Sequence, residues 1–260
     1  MPMALPDAGA LQEVLDGLDP QAAPLVRVTF PAAGPPPSLD SLAVLDSSFN
    51  PPTRAHMHLL DAAAGRLGLE RKLLLLAKVN ADKALQGATL PQRLQMMQLL
   101  AQADASGATL CGLTAHPLFV DKAVALRALV SGGPRIVLLV GFDTWVRITD
   151  PKYYAEGQLP QVLERIFGAV EVAVASRDPA SASATAGSPL TVEEQEAAVA
   201  SLPAELSRGR LHFLRSDEAV ASLSSSAVRR ALAAEDAGTA HGIVPECLHG
   251  YIEEHRLYRE

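Results

Sequence analysis

The stretch Ser41-Leu42-Ala43-Val44-Leu45-Asp46-Ser47-Ser48-Phe49-Asn50-Pro51-Pro52-Thr53-Arg54-Ala55-His56 decides how this 260-residue chain is to be read. Its first five residues are a compact, mostly apolar run of the kind that forms a buried strand, and the run stops at Asp46. Ser47 to Pro52 then gathers small residues, a turn-forming Asn and two prolines, which bend the chain and pre-set φ for a first helical turn. A helix is predicted from Pro52 or Thr53, with Met57, Leu59, Leu60, Ala63, Ala64 and Leu67 as its apolar face and its end between Gly65 and Gly68. Thr53 and His56 lie three apart and share a face of the first turn. That turn carries unpaired N–H groups and the positive end of the helix dipole, so a hydroxyl and an imidazole are aimed at an anion site. A bare T-x-x-H reads instead as a capping Thr beside a surface His; the flanking residues carry the phosphate reading.

Working outward, Lys72 to Ala77 is a continuous apolar run suited to a central parallel strand, and the polar residues Lys78 to Lys83 would lie at its carboxyl edge. Pro91 to Gln102 predicts a helix, Thr109 to Thr114 a strand, Asp121 to Val130 a helix, and Arg135 to Gly141 a third buried strand. This β-α-β-α-β alternation predicts an α/β fold with a Rossmann-like, doubly wound parallel sheet. Further strands are expected at Glu171 to Ala175 and Arg210 to Leu214, with a helix over Thr191 to Ala200 between them. The Ser-, Ala- and Gly-rich segment from about 177 to 190 reads as a mobile surface loop. On the other side, a short helix over Ala10 to Leu18 and a strand over Leu25 to Phe30 precede a proline-rich connector, so 1–37 is read as an N-terminal extension and 38–260 as the main domain.

Composition narrows the functions. Hydrophobic residues make up 48% and charged residues 20%, as in a globular protein, while 4% aromatics favour helices on aliphatic strands over a β-sandwich. A formal charge of −7 excludes broad, sequence-independent nucleic-acid binding, so an anionic substrate must be held by local groups. Cys111 and Cys247 are far apart and outside any C-x-x-C or Cys/His cluster, which supports neither a disulfide framework nor a zinc site. No apolar run approaches bilayer length, and the acidic N-terminus is unlike a transit peptide, so a cytosolic or nuclear protein with no membrane partner is expected.

Two more segments carry chemistry. Gly141-Phe142-Asp143 follows the third strand, where Gly admits a ligand near the backbone and a carboxylate can accept ribose hydroxyls; the bland reading is a helix capped by Asp. Trp145, with Tyr153 and Tyr154 beyond it, could stack a base, or Trp145 could be core. Leu223-Ser224-Ser225-Ser226-Ala227-Val228-Arg229 offers hydroxyls and free N–H groups at a helix start, with an Arg one turn in, against the ordinary reading of a Ser cap and a solvated Arg.

The run Ser48 to His56 resembles the signature of the (H/T)-x-G-H nucleotidyltransferase superfamily, in the G-x-F-(D/N)-P-x-(H/T)-x-x-H form of nicotinamide mononucleotide adenylyltransferases. Ser47 stands where that family usually has Gly, and Ala55 where the short motif has Gly. Gly141-Phe142-Asp143 is similar to the family's G-x-D, Leu223 to Arg229 to its (I/L)-S-S-(T/S)-x-(I/V)-R, and Ile243-Val244-Pro245 with Tyr251 to Tyr258 to its closing segment. The S-S-F-N-P-P form is closest to the fungal-type branch. The resemblance implies adenylyl transfer from ATP to nicotinamide mononucleotide in NAD biosynthesis, with magnesium arriving on ATP. It implies that His56, Thr53 and Arg229 do the catalytic work, and that Ser47, Ser48, Phe49, Gly141, Asp143, Ser224 and Ser225 complete the nucleotide site, Ser48 and Phe49 through their backbone. Lys83 and Trp145 are the candidates for the acceptor, each with a bland rival as a solvated lysine and a core tryptophan, and Phe119 or Tyr153 could equally stack the acceptor's base in place of Trp145. A sister transferase using another phosphorylated acceptor, or an ATP-binding or ATP-hydrolysing adaptor on the same fold, are the alternatives; oligomeric state is not legible. A Ser/His hydrolase finds no G-x-S-x-G elbow.

Overall fold

Aliphatic strands with both faces apolar can be satisfied only between two layers of helices, and the chain folds that way. The computed structural model describes residues 4–36, 38–79, 87–129, 131–179 and 190–259. Strand β1 (Val26–Phe30) follows helix α1 (Ala8–Asp16); then come β2 (Ser41–Asp46), α2 (Arg54–Leu67), β3 (Arg71–Ala77), α3 (Leu90–Ala103), β4 (Thr109–Thr114) and α4 (Phe119–Leu129). The second half runs β5 (Arg135–Gly141), α5 (Phe142–Ile148), α6 (Leu159–Ala169), β6 (Glu171–Ala175), α7 (Val192–Ala200), α8 (Ala204–Ser207) and β7 (Leu211–Leu214). Four short helices close the chain: α9 (Glu218–Ala221), α10 (Ser225–Ala233), α11 (Ala237–Ile243) and α12 (His249–Glu254).

The strands form one sheet in the order β1-β4-β3-β2-β5-β6-β7. Six are parallel, as expected; β1 pairs antiparallel with β4, so the sheet is mixed at that edge. Alternate residues divide the core. Ala43, Leu45, Leu74 and Leu76 face α1, α2, α3 and the C-terminal helices, whereas Leu42, Val44, Leu73 and Leu75 face α4, α5 and α6. Leu73, Leu74 and Leu75 are fully buried, each contributing roughly 1.5–3 kcal/mol by removal from water.

The described part of the stretch read as an extension, residues 4–36, supplies elements of this same body. Leu11, Leu15 and Leu18 join the core, α1 packs on α3, and Lys78 Nζ donates to the carbonyls of Leu15 (2.7 Å) and Leu18 (3.1 Å). The expected 177–190 loop lies for the most part outside the described residues. No described helix is long and apolar enough to cross a membrane.

What positions the site is the reversal of strand order. From β2 the chain steps to β3 and β4 on one side, then returns to β5, β6 and β7 on the other, so β2 and β5 are neighbours with Leu45 opposite Leu139. Their carboxyl ends, Asp46 and Gly141, flank the crevice where open α/β sheets take ligands.

Candidate active site

The turn after β2 is held from within. Thr53 is fully buried and caps α2 in extended backbone. His56 turns its ring back over the cap, so that Nδ1 accepts the Thr53 backbone N–H at 2.9 Å and lies 2.9 Å from the Thr53 hydroxyl. His56 Nε2 is 3.0 Å from Ser47 Oγ. A backbone N–H can only donate, so Nδ1 carries a lone pair and the ring proton sits on Nε2. Burial and the nearby positive charge of Arg177 push the imidazole pKa down to about 4, which leaves His56 neutral at pH 7. The fully buried Phe49 packs its ring against His56, centroids 5.2 Å apart, from left-handed backbone with φ of 44°.

The distant serine segment locks onto this turn. Ser224 caps α10, its Oγ accepting the Ala227 N–H at 3.2 Å. Ser225 Oγ donates to the Pro51 carbonyl at 2.7 Å, and Arg229 Nη1 donates to the Asn50 carbonyl at 2.7 Å. Asn50 Oδ1 accepts the Tyr258 hydroxyl at 2.9 Å and the Ala88 N–H at 3.2 Å. Arg93, 2% exposed, donates to the carbonyls of Ala88 (2.8 Å) and Ser48 (3.3 Å). Chain segments up to about 200 residues apart are thus tied to one turn.

Between them opens a cavity of about 410 Å³. Thr53, His56, Ser47, Ser48, Gly141, Ser224, Ser225 and Arg229 all line it, so the structure brings together most of the residues singled out from sequence. Arg66, Arg93, Arg177, Arg215 and Arg229 reach its wall, with Asp46 and Asp217 the acidic residues there among the described ones; Arg177 pairs with Asp143, and Arg215 with Glu193 and Glu196, from just outside it. A second cavity of about 270 Å³ lies across the end of β2, walled by Phe119, Lys122, Arg147, Tyr153 and Tyr154. Asp46, Ser47, Ser48, Thr144 and Arg177 belong to both walls.

Four expectations are corrected or fall outside the description. Phe49, expected to meet nucleotide through its backbone, lines neither cavity, and its ring packs in the core against His56. Asp143 lines neither, and its carboxylate pairs with Arg177 at 3.3 Å. Trp145 is 4% exposed and packs in the core, since Phe142, Trp145 and Ile148 share the buried face of α5. Lys83 lies outside the described residues. Gly141 also has a reason that its sequence context did not suggest: a Cβ there would come within 3.3 Å of Arg177 Nε.

Sequence reasoning missed Arg93, Arg177 and the Asn50–Tyr258 bond. Arg177 had a readable signal, since it follows the end of β6 on the ligand side of the sheet. It is also held firmly: Gln195, 2% exposed on α7, accepts the Arg177 N–H and donates to its carbonyl, both at 2.9 Å. Arg93 had one too, as a charge among the inward positions of α3.

Two helix N-termini converging on an arginine-lined crevice at a sheet's switch point suit a polyphosphate, and sequence relationships agree. Residues 44–231 match the cytidylyltransferase-like family, and the chain belongs to it. Its particular relatives include the Schizosaccharomyces pombe "Putative nicotinamide mononucleotide adenylyltransferase", 32% identical over 219 residues that span 83% of this chain and 85% of that protein. A Bordetella parapertussis "Probable nicotinate-nucleotide adenylyltransferase" is 29% identical over 230 residues, 84% of this chain and 98% of that one. The fold is shared with the Plasmodium falciparum nicotinic acid mononucleotide adenylyltransferase solved with NaAD, at a TM-score of 0.60 and 15% identity over 84% and 97% of the two chains.

Proposed function

We propose that this protein transfers AMP from ATP to nicotinamide mononucleotide, forming NAD and pyrophosphate. The observation that carries the reading is the shared wall of the two cavities: ligands in both would meet at Ser47, Ser48 and Arg177, beside the first turn of α2. ATP fits the larger cavity, where Arg229, Arg93 and the N-termini of α2 and α10 offer donors to its phosphates. The mononucleotide fits the smaller one. Phe119, Tyr153 and Tyr154 present faces for its base, and Lys122, 2.7 Å from the Asp46 carboxylate, and Arg147 present cations.

The acceptor's phosphate oxygen attacks the α-phosphorus, and the bond from that phosphorus to the α–β bridging oxygen breaks as pyrophosphate leaves. The protein contributes position and charge neutralisation rather than covalent chemistry. Magnesium enters as part of the ATP substrate; the described residues hold no cluster of three or more His, Cys, Asp or Glu side chains for an ion of their own. The proposed setting is cytosolic or nuclear.

The deciding experiment supplies purified protein with ATP, magnesium and either nicotinamide mononucleotide, its acid form or no acceptor. Pyrophosphate and dinucleotide appearing in step, only with acceptor, is the expected result. Phosphate release without acceptor would move the protein to the ATP-hydrolysing class.

A further inference from the structure

We propose that Tyr258 is a positioning residue for adenylyl transfer: its hydroxyl holds Asn50, and Asn50 in turn sets where the Arg229 guanidinium stands at the wall of the larger cavity. The role rests on the adenylyl-transfer reading and falls to a residue 208 positions beyond the asparagine it holds. Three observations carry it. The first is a set of hydrogen bonds with a fixed direction. The Ala88 N–H reaches the Asn50 side chain at 3.2 Å and can only donate, so the atom facing it is the amide oxygen, Oδ1. The Tyr258 hydroxyl, 2.9 Å from that same oxygen, therefore donates as well. Asn50, with Oδ1 held by two donors, presents its backbone carbonyl to Arg229 Nη1 at 2.7 Å, while Arg229 Nη2 lies 3.3 Å from Ser226 Oγ. The guanidinium is thus gripped at both ends of its fork, and one grip depends on Asn50.

The second observation is the backbone that brings the phenol back to the turn. Arg256 and Tyr258 have φ of 49° and 63°, left-handed values that a bulky L residue keeps only where surrounding contacts hold it. The third is the room left for the ring: a Cβ on Gly87 would come within 2.8 Å of Tyr258 Cε1 and 3.0 Å of Asn50 Oδ1. The segment around α12 has anchors of its own. Ile252 and Leu257 are buried in the core, and the Tyr251 hydroxyl donates to Gln95 Oε1 on α3, so the segment stays docked when the Tyr258 hydroxyl is removed. Charge grows on the departing pyrophosphate, and a cation already held in place stabilises it without reorganisation. Loss of the Tyr258 hydroxyl therefore falls on turnover more than on ATP binding.

A mutant cycle and one spectroscopic readout test this. Tyr258→Phe keeps the ring and removes only the hydroxyl; kcat is expected to fall about tenfold, with the KM for ATP changing less than about twofold. In an Arg229→Ala background the same substitution should cost less than about twofold, because a residue that acts through Arg229 then has nothing to position. Tyr251→Phe, which takes a hydroxyl from the same segment, should lower stability in denaturant titrations and leave kcat unchanged. In ¹⁵N-arginine NMR, the Arg229 side-chain signals are those missing from Arg229→Ala. Hindered rotation of the guanidinium should give separate Nη signals in wild type and a merged one in Tyr258→Phe. The assignment is overturned by an unchanged kcat in Tyr258→Phe, by equal losses in the two backgrounds, by an equal kcat loss in Tyr251→Phe, or by Arg229 signals that do not change. A wild type that transfers nothing, while the Arg229 signals merge in Tyr258→Phe, would lose the transfer reading and keep the hold of Tyr258 on Arg229. Transfer that proceeds equally in wild type and Tyr258→Phe would do the reverse.

Discussion

The two cavities beside β2 are built in opposite ways. The larger takes its hydroxyls, its imidazole and Arg229 chiefly from two short runs, Ser47–His56 and Ser224–Arg229, in each of which the functional residues are neighbours in sequence, and adds Arg66, Arg93, Arg177 and Arg215 from elsewhere in the chain. The smaller draws Phe119 and Lys122 from α4, Arg147 from α5, and Tyr153 and Tyr154 from the turn beyond it. Phosphate recognition needs backbone N–H groups at a helix start and a cation within one turn, a solution that local sequence can encode. A flat base needs only an aromatic face, which any of several rings can offer once the helices are packed. The two runs of the first cavity are therefore legible as motifs, while its added arginines and the whole second cavity exist only as an assembly.

That contrast is broken most severely at Arg229. Arg229→Ala removes a cation from the larger cavity and the donor that holds the Asn50 carbonyl, and steady-state kinetics should show turnover reduced about 10²–10³-fold. Arg229→Lys should not restore it, because one ammonium cannot reproduce the fork that spans the Asn50 carbonyl and Ser226 Oγ at 3.3 Å. A variant in the smaller cavity should act differently. Tyr153→Ala should raise the acceptor KM about tenfold, the value of a lost stacking face, and leave the ATP KM unchanged; equal effects on both substrates would mean that the cavities do not divide the work.

The smallest effect sharpens the comparison through pH. His56 is neutral down to about pH 4 in the folded protein, whereas the unfolded chain's imidazole takes up its proton near 6.5. Between these values the unfolded state binds more protons, so stability is full above about 6.5 and declines as pH falls towards 4. His56→Asn should flatten that slope in denaturant titrations. For the free enzyme, kcat/KM for ATP should show no inflection from His56 between pH 5.5 and 8.

Trp145 shows where reading by residue type fails. It is aromatic and lies next to a functional motif, yet it sits at the i, i+3 spacing of a buried helix face with Phe142. Proximity in sequence to a ligand group does not say which way a side chain points. Asp143 misses the cavity walls for another reason: its partner, Arg177, enters just past the end of the next strand, β6, and no pattern around Gly141 announces it.

The sequence alone determined the strand-helix alternation, the carboxyl edge on which ligands bind, and the two phosphate-ready turns, because periodicity, turn chemistry and helix capping act over a few residues. Only the tertiary structure decided that β1 closes the sheet antiparallel, that Arg93 and Tyr258 converge on the first turn, and that Arg177 and Ser47 line both cavities. Those contacts join residues distant along the chain, and their existence depends on how the layers pack rather than on any neighbour in sequence.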